Sequence, residues 1–335
     1  MATLEKNIAL VTGGYSGESV ISYKTAATIH SNLDKDHYSI YYIDLTRDGW
    51  FYKGEDGVNI PVDRNDFTVT LNGSKIHFDA AFIAMHGTPG EDGKLQGYFD
   101  MLQIPYTSCD AAASAITFNK RYTVAVAKMG GIAVAESVHL FRDSSYAVAD
   151  IQDRLRFPVF VKPNNGGSSI GMSKVDEPSQ LQAAIDKAFK EDSQVLIEEM
   201  IQGREFTVGV YRAEGKITVL PLTEVRADAD KSFFDFEAKY EGKSKETTPA
   251  EVDESIANKI RDAARNIYNI FNCRGVVRID FIFAEEAGRP YMLEINTIPG
   301  QSAASIVPQQ VRAAGGNLKD FYTKLLEEAL NAQSR

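Results

Sequence analysis

The most chemically pointed residues of this chain fall between Arg278 and Gly300, in the run RIDFIFAEEAGRPYMLEINTIPG. The run reads as two strands joined by a short Gly/Pro turn, and strand alternation sorts its side chains onto two faces. Val277, Ile279, Phe281, Phe283, Leu293 and Ile295 would form an apolar back. Arg278 and Asp280 from one strand, with Glu294 and Asn296 from the other, would share the opposite side. Three oxygen donors beside one guanidinium are costly to gather in a half-buried sheet unless something offsets the carboxylate repulsion. A hard cation such as Mg²⁺ does so, because it favours carboxylate and amide oxygens and retains waters and phosphate oxygens as further ligands. The hairpin is therefore expected to be the metal-phosphate floor of an ATP site.

Other polar clusters admit a functional and a structural reading each. Gly166-Gly-Ser-Ser-Ile-Gly171 follows a strand ending near Lys162. Its glycines let the backbone approach an anion closely, and its hydroxyls and amides can bond phosphate oxygens. A P-loop needs lysine where Met172 stands, and a helix where MSKV reads as extended. A hairpin flap over phosphates fits better, with Lys162 supplying charge; an ordinary Gly-rich turn is the alternative. Thr12-Gly-Gly14-Tyr-Ser-Gly17 falls short of the dinucleotide fingerprint, because Thr12 occupies the first glycine position. It still turns the chain into a helix whose amino end attracts negative charge, with Glu18 in the first turn, where it would also serve simply to complement the dipole. His86-Gly-Thr-Pro-Gly-Glu-Asp-Gly93 follows a further strand, so His86 would face the ligand edge of the sheet or cap the loop. Glu198 and Glu199 end a strand, and Glu205 follows Gly203-Arg204. These carboxylates would accept hydrogen bonds from an adenine amino group and ribose hydroxyls, or be solvated surface groups. Lys120, Lys162 and Lys239 pass for surface lysines unless they converge on the metal carboxylates.

These side chains need a scaffold, and the pattern supplies one. NIALVTGG, YSIYYIDL and DAAFIAMHG read as strands in the rhythm of a parallel α/β sheet, whose ligands sit beyond the carboxyl ends of the strands. Segment 110–135 is Ala-rich and helical. FPVFVKP, MSKV and VLIEEMI surround a helix near residues 180–189, and EFTVGVYR and KITVLPLTEV alternate as antiparallel strands. Residues 226–251 look like a long loop, and loops of that length are usually functional or disordered. A helix near 254–271, the hairpin and an amphipathic helix from 317 complete the chain.

Composition bounds the rest. A chain of 335 residues supports two or three domains of ordinary size. A formal charge of −10 argues against a nucleic-acid or anionic-membrane surface. Cys109 and Cys273 lack zinc or disulfide-framework spacing, which fits reduced cytosolic thiols. The apolar run Ile8–Val11 is too short for a signal peptide, and nothing approaches a membrane span. A soluble, cytoplasmic globular protein is expected.

GGYSGE, AMHGTPGEDGKLQG, VFVKPNNGGSSIGMSKV, VLIEEMIQGREFTV, FFDFEAKY, RIDF and LEINTIPG follow one another in distinctive spacing, up to SIVP at 305–308. In this the chain resembles the D-alanine–D-alanine ligases of the ATP-grasp superfamily. The resemblance implies an α/β fold, α+β in its ATP-binding part. It implies an N-terminal parallel α/β domain (1–119), a central small α+β subdomain (120–208) and a C-terminal subdomain (209–335) bearing the active-site loop 226–251. It implies ATP and D-alanine as substrates, two Mg²⁺ or Mn²⁺ held by Asp280, Glu294 and Asn296, and a homodimer. Glu18 would hold the ammonium of the first D-alanine, with His86 nearby. Lys120, Lys162 and Lys239 would contact the nucleotide, Glu198 and the backbone through Ile201 the adenine, and Glu205 the ribose. Ser168 in the flap and Tyr240 in the long loop would close over the reacting centre. Arg278, the Gly300 amide and Ser305 would grip the second substrate's carboxylate and the developing oxyanion. The segment Glu237-Ala-Lys-Tyr240 resembles members that use D-alanine as acceptor; D-serine or D-lactate is the alternative.

Overall fold

The computed structural model describes residues 6–54, 57–167, 170–227 and 244–332. Strand β1 (Lys6–Gly13) organises the first layer. Its residues Ile8, Ala9, Leu10 and Val11 are all fully buried, as expected of a central strand covered on both faces. It runs parallel to β2 (Tyr38–Thr46) and, on its other side, to β7 (Ala80–Ile83). Alternation sends Ile8, Leu10 and Phe82 into one core and Ala9, Val11 and Ile83 into another.

The sheet does not stay parallel. Strands β3 (Gly49–Lys53), β4 (Asn59–Asp63), β5 (Thr68–Leu71) and β6 (Ser74–Ile76) extend it antiparallel, in the order β6-β5-β4-β3-β2-β1-β7. This meander differs from the expected strand-helix alternation, and its turns are short and local. The β5–β6 turn places Asn72 at φ 50° and Gly73 at φ 77°, the pair of positive dihedrals a two-residue type I′ hairpin needs.

The second sheet is antiparallel, ordered β10-β9-β11-β8, from β8 (Ser137–Phe141), β9 (Val159–Pro163), β10 (Ser173–Val175) and β11 (Gln194–Glu199). The helix Leu181–Glu191 buries Leu181, Ala184, Ile185 and Ala188 against it, the i, i+3, i+4, i+7 stripe of an amphipathic helix.

The third sheet runs β15-β14-β12-β16-β17, with β13 also pairing β12. Its strands are β12 (Arg204–Ala213), β13 (Lys216–Val219), β14 (Thr223–Ala227), β15 (Ser244–Thr247), β16 (Val276–Ala284) and β17 (Arg289–Asn296). The segment expected as one long loop thus begins and ends in paired strands, β14 and β15; residues 228–243 lie outside the described part. The helix Glu254–Ile270 packs Ile260, Ala264 and Ile267 against β16, where Val277, Ile279, Phe281 and Phe283 form the expected apolar back.

One residue of that back is elsewhere. The β16–β17 register shifts between Asp280 and Phe281, pairing Asp280 with Glu294 but Phe281 with Met292. Leu293 is the extra residue of a β-bulge, which resets the alternation. Met292 therefore enters the core in its place. The last helix, Leu318–Ala332, lays Phe321, Tyr322, Leu325 and Leu326 on the Ile8–Leu10–Phe82 face of the first sheet. Among the described residues no helix is long and apolar enough to cross a membrane.

Candidate active site

Asp280 is the hub of the hairpin. Arg278 reaches it with two parallel bonds, Nε to Oδ1 at 2.9 Å and Nη2 to Oδ2 at 2.8 Å. Such bidentate geometry fixes both partners. The Thr207 hydroxyl, on the residue paired with Asp280 across β12, donates to Oδ1. Asn296 Nδ2 donates to Oδ2 at 3.3 Å. Glu294 stands opposite Asp280 on β17, with Oε1 3.9 Å from Arg278 Nη2. The guanidinium thus lies against both carboxylates and offsets their repulsion. The four residues expected on one face do meet there. Among the described residues no group of three His, Cys, Asp or Glu side chains could hold a metal, so the oxygen-donor set is two carboxylates and one carboxamide.

A cleft with ≈ 780 Å³ of empty space, open to solvent, runs past this hairpin. Glu294 and Asn296 line it from β17, Lys162 and Glu198 from the second sheet, and Lys120 from the helix Lys120–Met129. Lys162 is salt-bridged to Glu198 on the neighbouring strand. Strand alternation separates the two glutamates at the end of β11. Glu198 faces the cleft, whereas Glu199 is buried on the other side and accepts from the Arg156 backbone at 2.8 Å. Lys120 Nζ donates to the Gly166 carbonyl at 2.7 Å, tying the helix start to the flap. Ile201 sits in the β11–β12 connection and Glu205 near the start of β12, on its Asp280 side; neither lines the cleft.

Glu18 lies at a crowded crossing. A Cβ on Gly87 would meet Glu18 Oε2 at 2.7 Å and Ser16 Oγ at 2.5 Å, and one on Gly167 would meet Glu18 Oε1 at 3.0 Å. Gly87 also has φ 69°, which favours glycine. The carboxylate is thus bracketed by the His86 loop and the flap. On the far side of Gly87, its amide donates to Glu91 Oε2 at 2.7 Å. Burial pushes the Glu91 carboxyl up to about 8, the Glu18 charge adds to the rise, and the Gly87 and Ile298 amides and Arg278 oppose it.

A Cβ on Gly300 would lie 2.9 Å from Ser305 Oγ, so these two are adjacent. Ser168, Lys239 and Tyr240 lie outside the described residues.

With this geometry in place, the likeness to known proteins is direct. Residues 7–109 match the family model described as D-ala D-ala ligase N-terminus, and residues 122–327 the one described as D-ala D-ala ligase C-terminus. The chain belongs to the D-alanine–D-alanine ligase family. A D-alanine–D-alanine ligase of Parabacteroides distasonis is 47% identical over 327 residues, 98% of each chain. A D-Ala:D-Ser ligase from Enterococcus faecalis superimposes with TM-score 0.87 at 31% identity, covering 97% of this chain and 99% of that one. A D-alanine–D-alanine ligase from Bacillus anthracis, solved in complex with ATP, gives TM-score 0.78 at 26% identity over 98% and 99%. The fold is the ATP-grasp fold of these ligases.

In this ligase-family chain His86 does not line the cleft. Its ring is buried, with Nε2 2.9 Å from Thr25 Oγ1, and its amide donates to Ser22 Oγ at 2.9 Å. The strand-end position was legible in sequence; the inward turn of the ring was not, because the partners Ser22 and Thr25 come from the first helix. Thr25 Oγ1 also accepts from the amide of Gln301 at 3.3 Å, and Gln301 is in turn reached by the Tyr322 hydroxyl at 3.3 Å. Sequence reasoning also passed over Glu91 and Thr207. Glu91 stood in the GEDG motif, while Thr207 carries no local signal until β12 is paired with β16.

Burial and the Arg278 charge depress the His86 pKa from 6.5 to about 4. The unfolded chain takes up a proton at this ring below pH 6.5, while the folded one stays neutral down to about 4. The stability it contributes is complete above that range and is lost as pH falls through it. At about pH 5.5 the loss should be ~1.4 kcal/mol, read as a lowered urea midpoint that His86→Gln no longer shows. Equal pH slopes for parent and variant would refute this assignment.

Proposed function

We propose that this chain is an ATP-dependent ligase that joins two D-alanine molecules into D-alanyl-D-alanine, releasing ADP and phosphate, for peptidoglycan precursors. The observation that carries the reading is the Arg278–Asp280 pair beside Glu294 and Asn296, facing a cleft that Lys120 and Lys162 also line. Joining a carboxylate to an amine in water is uphill, so the carboxylate must first become an acyl phosphate. Lys120 and Lys162 would neutralise nucleotide phosphates during that transfer. Glu198 and the backbone through Ile201 would hold adenine, Glu205 the ribose, and Lys239 a further part of the nucleotide.

Asp280, Glu294 and Asn296 fit a hard divalent cation, since all can offer oxygen and Asp280 is already oriented by Arg278 and Thr207. They would hold two Mg²⁺, or Mn²⁺, which when bound would neutralise charge on the transferred phosphoryl group. Glu18 would bind the ammonium of the first D-alanine, with His86 nearby through the loop that Gly87 continues. Arg278, the Gly300 amide and Ser305 would hold the second carboxylate and the oxyanion, donors typically worth several kcal/mol in the transition state. Ser168 and Tyr240 would close over the centre and keep water from the acyl phosphate.

We read the ligase as a cytoplasmic homodimer divided at residues 119 and 208, on the strength of the family resemblance. D-Serine and D-lactate acceptors are not favoured, because the curated relatives matched at 42–47% identity are D-alanine–D-alanine ligases. In the purified protein with ATP and Mg²⁺, D-alanine should stimulate phosphate release and yield the dipeptide mass, and L-alanine should do neither. ATP turnover indifferent to D-amino acids would defeat the reading.

A further inference from the structure

Glu91 lines the cleft, yet none of the roles above uses it. The loop that carries it also holds it, through the Gly87 amide at 2.7 Å. The Ile298 amide favours its charged form from the other strand layer, and Ile298 lies two residues before Gly300. Glu91 is therefore anchored to the same turn that would present the oxyanion donor. Two carboxylates flank Gly87, Glu91 on its amide and Glu18 against its Cα, and no side chain can stand between them there. The charged groups acting on Glu91 are Glu18, from the loop before the first helix, and Arg278, from β16. His86 on its own loop is neutral, and Lys120, Lys162 and Glu294 share the cleft.

We propose that Glu91 is the proton acceptor of the ligation step, taking a proton from the ammonium of the acceptor D-alanine before that nitrogen attacks the acyl phosphate. The inference rests on the ligase reading and deepens it. An ammonium has no lone pair, so attack requires this proton to leave first. The Glu91 carboxylate accepts it, the nitrogen pair forms the C–N bond, and the C–O bond to phosphate breaks with its electrons on the phosphate oxygen. The second proton released from nitrogen goes to that phosphate. A base acts best when its pKa lies near the working pH, and burial beside Glu18 brings Glu91 into that range. Arg278, held against Asp280, is near enough to act on the Glu91 charge, so an acceptor whose carboxylate it holds would have its ammonium in the same cleft that Glu91 lines.

Hydroxylamine separates this role from a structural one, because it is neutral at neutral pH and captures the acyl phosphate without a proton acceptor. Glu91→Gln should cut dipeptide formation by about 10²- to 10⁴-fold while ATP-dependent D-alanine hydroxamate forms close to the parent rate. Glu91→Asp should recover part of the dipeptide rate. In the parent enzyme, the dipeptide rate should rise through about pH 8, and hydroxamate formation should lack that limb, a measurement independent of whether the variants fold. Parallel loss of both products in a folded Glu91→Gln, dipeptide synthesis near the parent rate in that variant, or the same limb in both parent profiles would each overturn the proposal. No D-alanine hydroxamate from the parent protein would instead defeat the ligase reading itself.

Discussion

Glu294→Ala should lower D-alanine-dependent phosphate release by about 10³-fold, roughly 4 kcal/mol of transition-state stabilisation, without moving the unfolding midpoint. The Glu294 side chain is 35% exposed and its oxygen stays 3.9 Å from the nearest Arg278 nitrogen. A side chain this exposed at the cleft edge leaves no buried cavity when it is removed. Arg278 keeps its two bonds to Asp280, so the scaffold is unchanged and the deficit is chemical. The measurement is a phosphate-release assay beside a urea titration. Turnover near the parent rate would show that the β17 carboxylate is not part of the phosphate-transfer machinery.

Arg278→Ala should behave differently, losing both activity and fold stability. Asp280 is only 7% exposed, and Arg278 supplies two of its hydrogen bonds. Without the guanidinium, a largely buried carboxylate keeps Thr207 and Asn296 as its partners among the described residues, with Glu294 opposite. Stranding one member of a buried pair costs about 3–5 kcal/mol; the nearby cleft admits water, which places the expectation at about 3. Turnover should fall by at least about 10³-fold, since the same group is proposed to steady the oxyanion. Arg278→Lys should regain some stability through its charge but little activity, because an ammonium cannot make the paired bonds. A variant with an unshifted urea midpoint would mean that Asp280 does not depend on Arg278.

The contrast between these two variants tracks what could be read from sequence. Strand alternation alone put Arg278, Asp280, Glu294 and Asn296 on one face, because a period of two needs no tertiary knowledge. The same rule failed at Leu293, where a bulge adds one residue and Met292 takes the core position. Nothing in LEINTIPG marks that insertion, since it is defined by the partner strand. The meander of β3 to β6 was legible and not read: Asn72-Gly73 between short alternating runs is a hairpin signal. Glu198 and Glu199 could not be told apart until β11 had two neighbours. His86 was placed at the correct strand end, but its inward orientation depends on Ser22 and Thr25 across the first helix. The adjacency of Gly300 and Ser305, and the crossing of Glu18 with Gly87 and Gly167, came from the motifs only by family resemblance.

The position of the last helix bears on how the chain acquires its structure during synthesis. Phe321, Tyr322, Leu325 and Leu326 cover strands made well over two hundred residues earlier, and the Tyr322 ring meets Phe82 at 5.7 Å. Until that helix has been made, the apolar surface of β1 and β7 lacks its lid and is open to chaperones or to other chains. Maturation of the amino-terminal half therefore waits for synthesis of this helix, and a ribosome stalled before residue 318 would leave a sticky, unfinished intermediate.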